Sequence, residues 1–235
     1  MQKVNYKFYA TLLDSFQYYL SKVDDDSAFD DFIDRLNRKP FVSDAATKGT
    51  AFNDFIDKLN AGMINDLRPD GKGNFLYEYR EDDIVNTYSF KEKVVNAIST
   101  RVKGYLPQVF VSAPLETKYG LVELYGYADE LRYDRCVDIK TTGRYEFPKY
   151  LHGWQSKVYP YCFNEIGVKV NVFEYLITDF SNVYIEEYVW NPERDIAELR
   201  LFCERLIDFI ETHRGLITSN DPKVLKLFAL DEETR

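Results

Sequence analysis

Beyond Gln108 the chain alternates. Val109–Thr117 and Leu121–Leu131 switch between apolar and polar residues at period two, with the turn signal Tyr119–Gly120 between them. A third segment, Cys136–Thr141, follows after a short turn. If Tyr133 and Asp134 form the tip of this second hairpin, positions summing to 267 face each other, and Asp129 stands opposite Asp138. Facing carboxylates on one side of an antiparallel pair have Cβ atoms about 4.5–5.5 Å apart and destabilise the sheet unless a cation lies between them. Side chains two apart share a face, so Lys140 points with Asp138, and Val137 and Ile139 point to a core on the other side. A hard divalent ion takes one or two carboxylates and keeps water and phosphate in its other positions. A lysine beside it can hold the attacking water or stabilise charge on a scissile phosphate.

An acid–x–Lys triplet is ordinary by itself, and this chain has four, starting at Asp70, Glu116, Asp138 and Asp221. Only the Asp138 copy lies in an apolar strand with another acid across a hairpin. Downstream, Gln155 and Tyr159 are four apart and share a helical face that can reach back to Lys140. Alone, that pair reads as a surface glutamine and a packing tyrosine.

Residues 5–62 read as helices: Tyr6–Leu20, then Ser27–Leu36 with Ser27 as its cap, then a helix from Ser43 toward Leu59 with Gly62 beyond its end. Residues 65–80 carry Pro69, Gly71 and Gly73 and form a loop into an aromatic strand; Phe90–Lys103 is a further helix. Lys149–Glu165 is helical, kinked or divided at Pro160. Val168–Thr178 and Val183–Trp190 make a hairpin, and Asn191–Pro192 starts a helix with a broad apolar face from Ile196 to Ile210. The division that follows is an N-terminal helical region over 1–107 packed on a core over 108–215, with a loosely attached acidic tail over 216–235.

The 235 residues have 45% apolar content, enough for a sizeable core. No apolar run is long enough for a membrane span, and the first twenty residues are too polar for a signal peptide. Three scattered cysteines, Cys136, Cys162 and Cys203, without a C-x-x-C pair, argue against a disulfide framework and for a reducing compartment such as a cytoplasm. The net charge of −9 runs against phosphate binding over the whole surface. The charge is uneven, though: residues 24–34 hold six Asp, whereas 139–160 hold four cations (Lys140, Arg144, Lys149, Lys157) against Glu146. Arg144, Lys149 and Lys157, with His152 among them, are therefore the candidate phosphate contacts. Tyr125, Tyr127, Tyr145 and Phe147 are candidates for stacking on unpaired bases.

Together, Gly126-x-x-Asp129, Asp138-x-Lys140-Thr141 and Gln155-x-x-x-Tyr159 resemble the PD-(D/E)xK nuclease superfamily, in the branch of RecB-type, Cas4-like and lambda-exonuclease-like proteins. Upstream, Gly49 with Asn53 and Asp57 looks like that branch's G-x-x-x-H-x-x-x-E helix, with Asn in place of the histidine and Asp in place of the glutamate. The resemblance implies an α/β (α+β) restriction-endonuclease-like α-β-β-β-α-β core, with a mixed sheet flanked by helices and an added N-terminal helical region. It implies Asp129, Asp138, the Ile139 carbonyl and Asn53 as ligands of one or two Mg²⁺ or Mn²⁺ ions, with Lys140 assisting the nucleophile. Gln155 and Tyr159 would support the site, and Glu116 and Asp57 would be accessory acids. The iron–sulfur subgroup needs four cysteines, so no such cluster is expected. The implied activity is DNA hydrolysis, as an exonuclease in recombination, repair or a phage or mobile-element setting, with a homo-oligomer or a recombination protein as partner and no membrane. Two other readings stand beside it: a non-catalytic nucleic-acid-binding or assembly subunit, and hydrolysis of another phosphate compound.

Overall fold

The computed structural model describes residues 4–22, 25–40, 43–64, 67–81 and 83–221, together with Val224 and Leu227. The chain begins with β1 (Val4–Tyr9), α1 (Ala10–Leu20), α2 (Asp26–Leu36) and α3 (Asp44–Asn60). β2 (Arg68–Pro69), β3 (Asn74–Glu81), β4 (Ile84–Lys91) and α4 (Glu92–Arg101) follow. The second half runs β5 (Leu106–Thr117), β6 (Gly120–Arg132), β7 (Arg135–Thr141), α5 (Gln155–Glu165), β8 (Val172–Thr178), β9 (Val183–Val189) and α6 (Pro192–Thr212). From α4 to β8 the elements follow the expected α-β-β-β-α-β order.

Six strands form a mixed sheet, and β2, β3 and β4 form a separate antiparallel one. β6 is the hub of the large sheet. β5 pairs along one edge from Gly120 to Leu131. The other edge is shared: β1 runs parallel beside residues 121–125, and β7 runs antiparallel beside residues 130–132. Between these partners, residues 126–129 face a fork. The expected register holds, with Arg132 opposite Arg135, Leu131 opposite Cys136 and Glu130 opposite Val137. β7 then continues parallel to β8, with α5 as the crossover, and β9 closes the edge.

The sheet separates two cores. α1, α5 and α6 cover one face, where Phe16, Trp154, Phe173 and Phe202 are buried. α3, α4 and the small sheet enclose the other, where Phe52, Phe55, Phe90, Val137 and Ile139 are buried. Among the described residues no helix is long and apolar enough to cross a membrane.

Several expectations are corrected. Tyr6–Leu20 is not one helix. Its first residues form β1, because Phe8 must be buried in the sheet core while Lys7 pairs across to Glu123 at 2.8 Å. Asp25, not Ser27, caps α2: its carboxylate accepts from the Ser27 N–H. Phe90 belongs to β4, where it pairs with Phe75, and α4 starts at Glu92. α5 starts at Gln155 rather than Lys149, because the Lys149 and Tyr150 N–H groups are committed to the Glu186 carboxylate. Pro160 does not divide α5. The final segment is not loose where it is described. Asn37 holds the Thr218 and Ser219 N–H groups, and Val224 and Leu227 are buried in the main core; residues 228–235 lie outside the described residues. Of the other triplets, Pro222 and Lys223 lie outside them too, and Asp70 turns its carboxylate onto the N–H groups of Lys72 and Asn74.

Candidate active site in the sheet fork

The fork exists because β7 leaves β6 after Val137. The ladder bond that would follow is replaced by a side chain: Asp129 Oδ2 accepts the Ile139 N–H at 2.8 Å. Asp129 thereby lies near Asp138, although the β6–β7 ladder stops at Glu130–Val137 and does not pair the two as the register arithmetic expects. Asp138 is 3% exposed, with Oδ1 accepting from Gln155 Nε2 at 2.9 Å and Oδ2 lying 2.6 Å from Lys140 Nζ. Tyr159, one turn beyond Gln155, hydrogen-bonds it and packs on Gly126. A Cβ on Gly126 would stand 2.7 Å from the Tyr159 ring, so a glycine is required there.

α3 closes the site from the other core. Gly49 brings this helix against the end of β7; a Cβ there would stand 2.5 Å from the Thr141 hydroxyl. One turn on, Asn53 Nδ2 donates to the Ile139 carbonyl at 3.2 Å. The amide group must face its nitrogen to that carbonyl, which leaves Asn53 Oδ1 buried with no hydrogen-bond partner among the described residues. One turn further, Asp57 Oδ2 accepts from Gln108, whose amide also reaches Asp129 Oδ1 at 3.3 Å. Asp57 Oδ1 is likewise buried without a partner.

The electrostatics follow from crowding acids in a place with little water. Burial first, and the Asp138 charge second, push the Asp129 carboxyl well above the usual carboxylate range. Burial pushes Asp57 up to about 6. For Lys140, burial alone would lower the ammonium, but the Asp138 and Asp129 charges outweigh it and the group is raised. Tyr159 is raised, by burial and then by Asp138.

Asp129, Asp138, Lys140, Ile139, Gln155, Tyr159, Asn53 and Asp57 thus converge. Other candidates do not join them. Glu116 pairs opposite Leu121 near the far end of the β5–β6 hairpin and is exposed. Lys157 turns toward α6, to Glu198 at 3.3 Å and over the Trp154 ring. Arg144, Lys149 and His152 lie on the segment between β7 and α5. Arg144 is exposed beside Glu146, His152 is exposed, and Lys149 Nζ is held by Thr142 Oγ1 and the Arg144 carbonyl.

Two participants carried no sequence signal. Gln108 sits at φ 51, where β5 faces the fork, and bridges two acids. Asp14, on α1, accepts the Trp154 N–H at 2.6 Å and lies within the field of Lys140 and Asp138. Burial pushes it up to about 6.

The donor set is all oxygen: two carboxylates, one carbonyl and the two unpartnered acceptors from α3. That chemistry fits a hard divalent cation better than a thiophilic one. Among the described residues no three His, Cys, Asp or Glu side chains form a complete ligand cluster. A Mg²⁺-type ion does not need one, since water and substrate phosphate fill its remaining positions.

No family model matches this chain, and no curated protein does. Solved structures similar to it include that of SSO0001, at 14% identity and a TM-score of 0.46, covering 88% of this chain and 78% of that one. Another is a candidate exonuclease from Eubacterium rectale, at 12% identity and a TM-score of 0.40, covering 85% of this chain and 74% of that one. Likeness at this level establishes neither a family nor an activity.

Proposed function

We propose that the protein is a Mg²⁺- or Mn²⁺-dependent deoxyribonuclease with a PD-(D/E)xK-type site, acting as an exonuclease. The observation that carries the reading is the gathering of Asp129, Asp138 and Lys140 at one fork of the sheet, with the Ile139 carbonyl beside them. Asp129, Asp138 and that carbonyl would hold the ion. A bound divalent ion would supply charge stabilisation on a phosphate oxygen and an acidified water.

The chain's own residues do the rest. Gln155 and Lys140 grip the two oxygens of Asp138, so this carboxylate cannot turn away. Lys140 places a positive charge, kept protonated by two neighbouring acids, where charge develops on the phosphate. Tyr159 and Gly126 fix Gln155 from behind.

The test is digestion of end-labelled DNA with Mg²⁺ or Mn²⁺. Asp138→Asn and Lys140→Met are each expected to lower cleavage by about 10²–10³-fold or more, with an unchanged melting profile for a fold-preserving variant. Unchanged cleavage in either variant removes the assignment. An exonuclease releases labelled mononucleotides from the end; internal cuts would make it an endonuclease.

One observation favours a second reading, a nuclease-fold subunit that binds DNA without turnover. The Asn53 amide occupies one lone pair of the Ile139 carbonyl that the metal would use. DNA binding without cleavage in any divalent metal would select it.

A further inference from the structure

Where β1 parts from β6, a cleft of about 600 Å³ opens next to the fork. Its walls are aromatic. Tyr9 and Tyr125 lie with ring centroids 6.0 Å apart, and Phe110 and Tyr127 form a cross-strand pair at 5.1 Å. Phe110 is 51% and Tyr127 58% exposed, although both are large rings on a well-packed sheet. Arg38 lies 3.9 Å over the Tyr9 ring. Among the described residues no carboxylate pairs with Arg38; its other partner is Tyr125. The cleft's one acid, Glu123, is answered by Lys7. The Tyr9 hydroxyl is buried with no hydrogen-bond partner among the described residues. The first turn of α1, which no side chain caps, also borders the cleft at Ala10 and Thr11 and adds to its anion-binding side. The floor is shared with the site, for Gly126 and Tyr159 line both.

We infer that this cleft holds an unpaired nucleotide of single-stranded DNA, with the base against the Tyr9, Tyr125, Tyr127 and Phe110 rings and the phosphate against Arg38. The inference rests on the nuclease reading for its choice of DNA and deepens it by naming the strand form. Rings on a wall stack on any base whose face is free, whereas a paired base hides both faces within the duplex. A spare guanidinium above the same rings supplies the phosphate contact that an acidic protein otherwise lacks. The Gly126–Asp129 edge then leads the strand from the cleft to the carboxylates.

The test measures binding without turnover: fluorescence anisotropy of a labelled oligodeoxythymidylate, a blunt DNA duplex and an oligouridylate, all in EDTA. Tyr127→Ala, Phe110→Ala and Arg38→Ala are each expected to weaken single-strand binding about tenfold and to leave duplex binding unchanged. Tyr127 and Phe110 are exposed, so their removal leaves the melting profile near that of the parent. Single-strand affinity equal to the parent's in all three variants overturns the inference. So does an equal loss on duplex, and so does tighter binding of oligouridylate than of oligodeoxythymidylate. Unchanged strand binding together with Asp138-dependent cleavage would remove the cleft and leave the nuclease. Strand binding lost in the variants, with no cleavage by the parent in any metal, would keep the cleft and remove the nuclease.

Discussion

Strand β7 carries charge at both ends, and the two ends are built in opposite ways. At its start, Arg135 meets Glu174 at 2.6 Å and also pairs with Glu187. Arg101 adds a bidentate grip on Glu174, at 3.0 and 2.6 Å. Two acids face two guanidiniums, and the fully buried Glu174 has every oxygen answered. At its end, Asp138 stands with Asp129, Asp57 and Asp14 around a single ammonium, Lys140. The first group is a closed network that serves the fold. The second holds four acids against one cation, and burial raises Asp129, Asp57 and Asp14 toward their neutral forms.

The sharpest way to break this contrast is to remove one acid from each end. Glu174→Gln keeps the shape but leaves two guanidiniums facing each other with only the half-exposed Glu187 between them. Arg101 and Arg135 retain some access to solvent, which moderates the penalty, so a loss of about 3 kcal/mol is expected. In a chain of this size that lowers Tm by on the order of 10 °C. An unchanged Tm in calorimetry would mean that the network is ornamental.

The same kind of neutralisation in the fork has the opposite sign. Asp129→Asn can still accept the Ile139 N–H while removing one of the crowded charges. Metal-free protein at pH 8 is expected to gain on the order of 5 °C in Tm and to lose cleavage. A lower Tm would show that the acids stabilise the apo fold, and the contrast between the two ends of β7 would fail.

How much of this was visible in the chain depended on distance along it. The register from Arg132–Arg135 to Glu130–Val137, which carries Asp129 near Asp138, was legible because a two-residue tip fixes a local hairpin, and Tyr133 adopts φ 53 there. The splaying of β7 was not, because it depends on the Asp129 side chain replacing a backbone ladder bond. α3 was legible from Ser43 and its apolar spacing, but not the pairing of Asn53 with a carbonyl 86 positions away. β1 was misread because six residues carry too few periods to tell a strand from a helix, and its parallel partner lies more than a hundred residues downstream. Asp14 was hidden for the same reason: its role depends on where α1 is carried by β1. β4 was missed because only Phe90 is buried and its exposed residues mix Ile84 and Val85 with polar side chains, which leaves no clean alternation.

Asp14 gives the smallest effect and the most specific sign. Its carboxyl, pushed up to about 6 chiefly by burial, is held protonated more readily in the fold than in the unfolded chain, where it sits near 3.8. Folding therefore favours the neutral form. The favourable term is complete below the unfolded value and is lost as pH rises toward 6. Above that, the buried charge costs on the order of 1–2 kcal/mol, given the backbone N–H that it accepts and the nearby lysine. Asp14→Asn keeps an oxygen for the Trp154 N–H and removes the titration. Its Tm is expected to match the parent at pH 4 and to exceed it by about 4 °C at pH 8. A variant that is equally shifted at both pH values, or destabilised at pH 8, would mean that Lys140 draws on Asp14 as a true partner. The fork would then hold one fewer surplus charge than the geometry assigns to it.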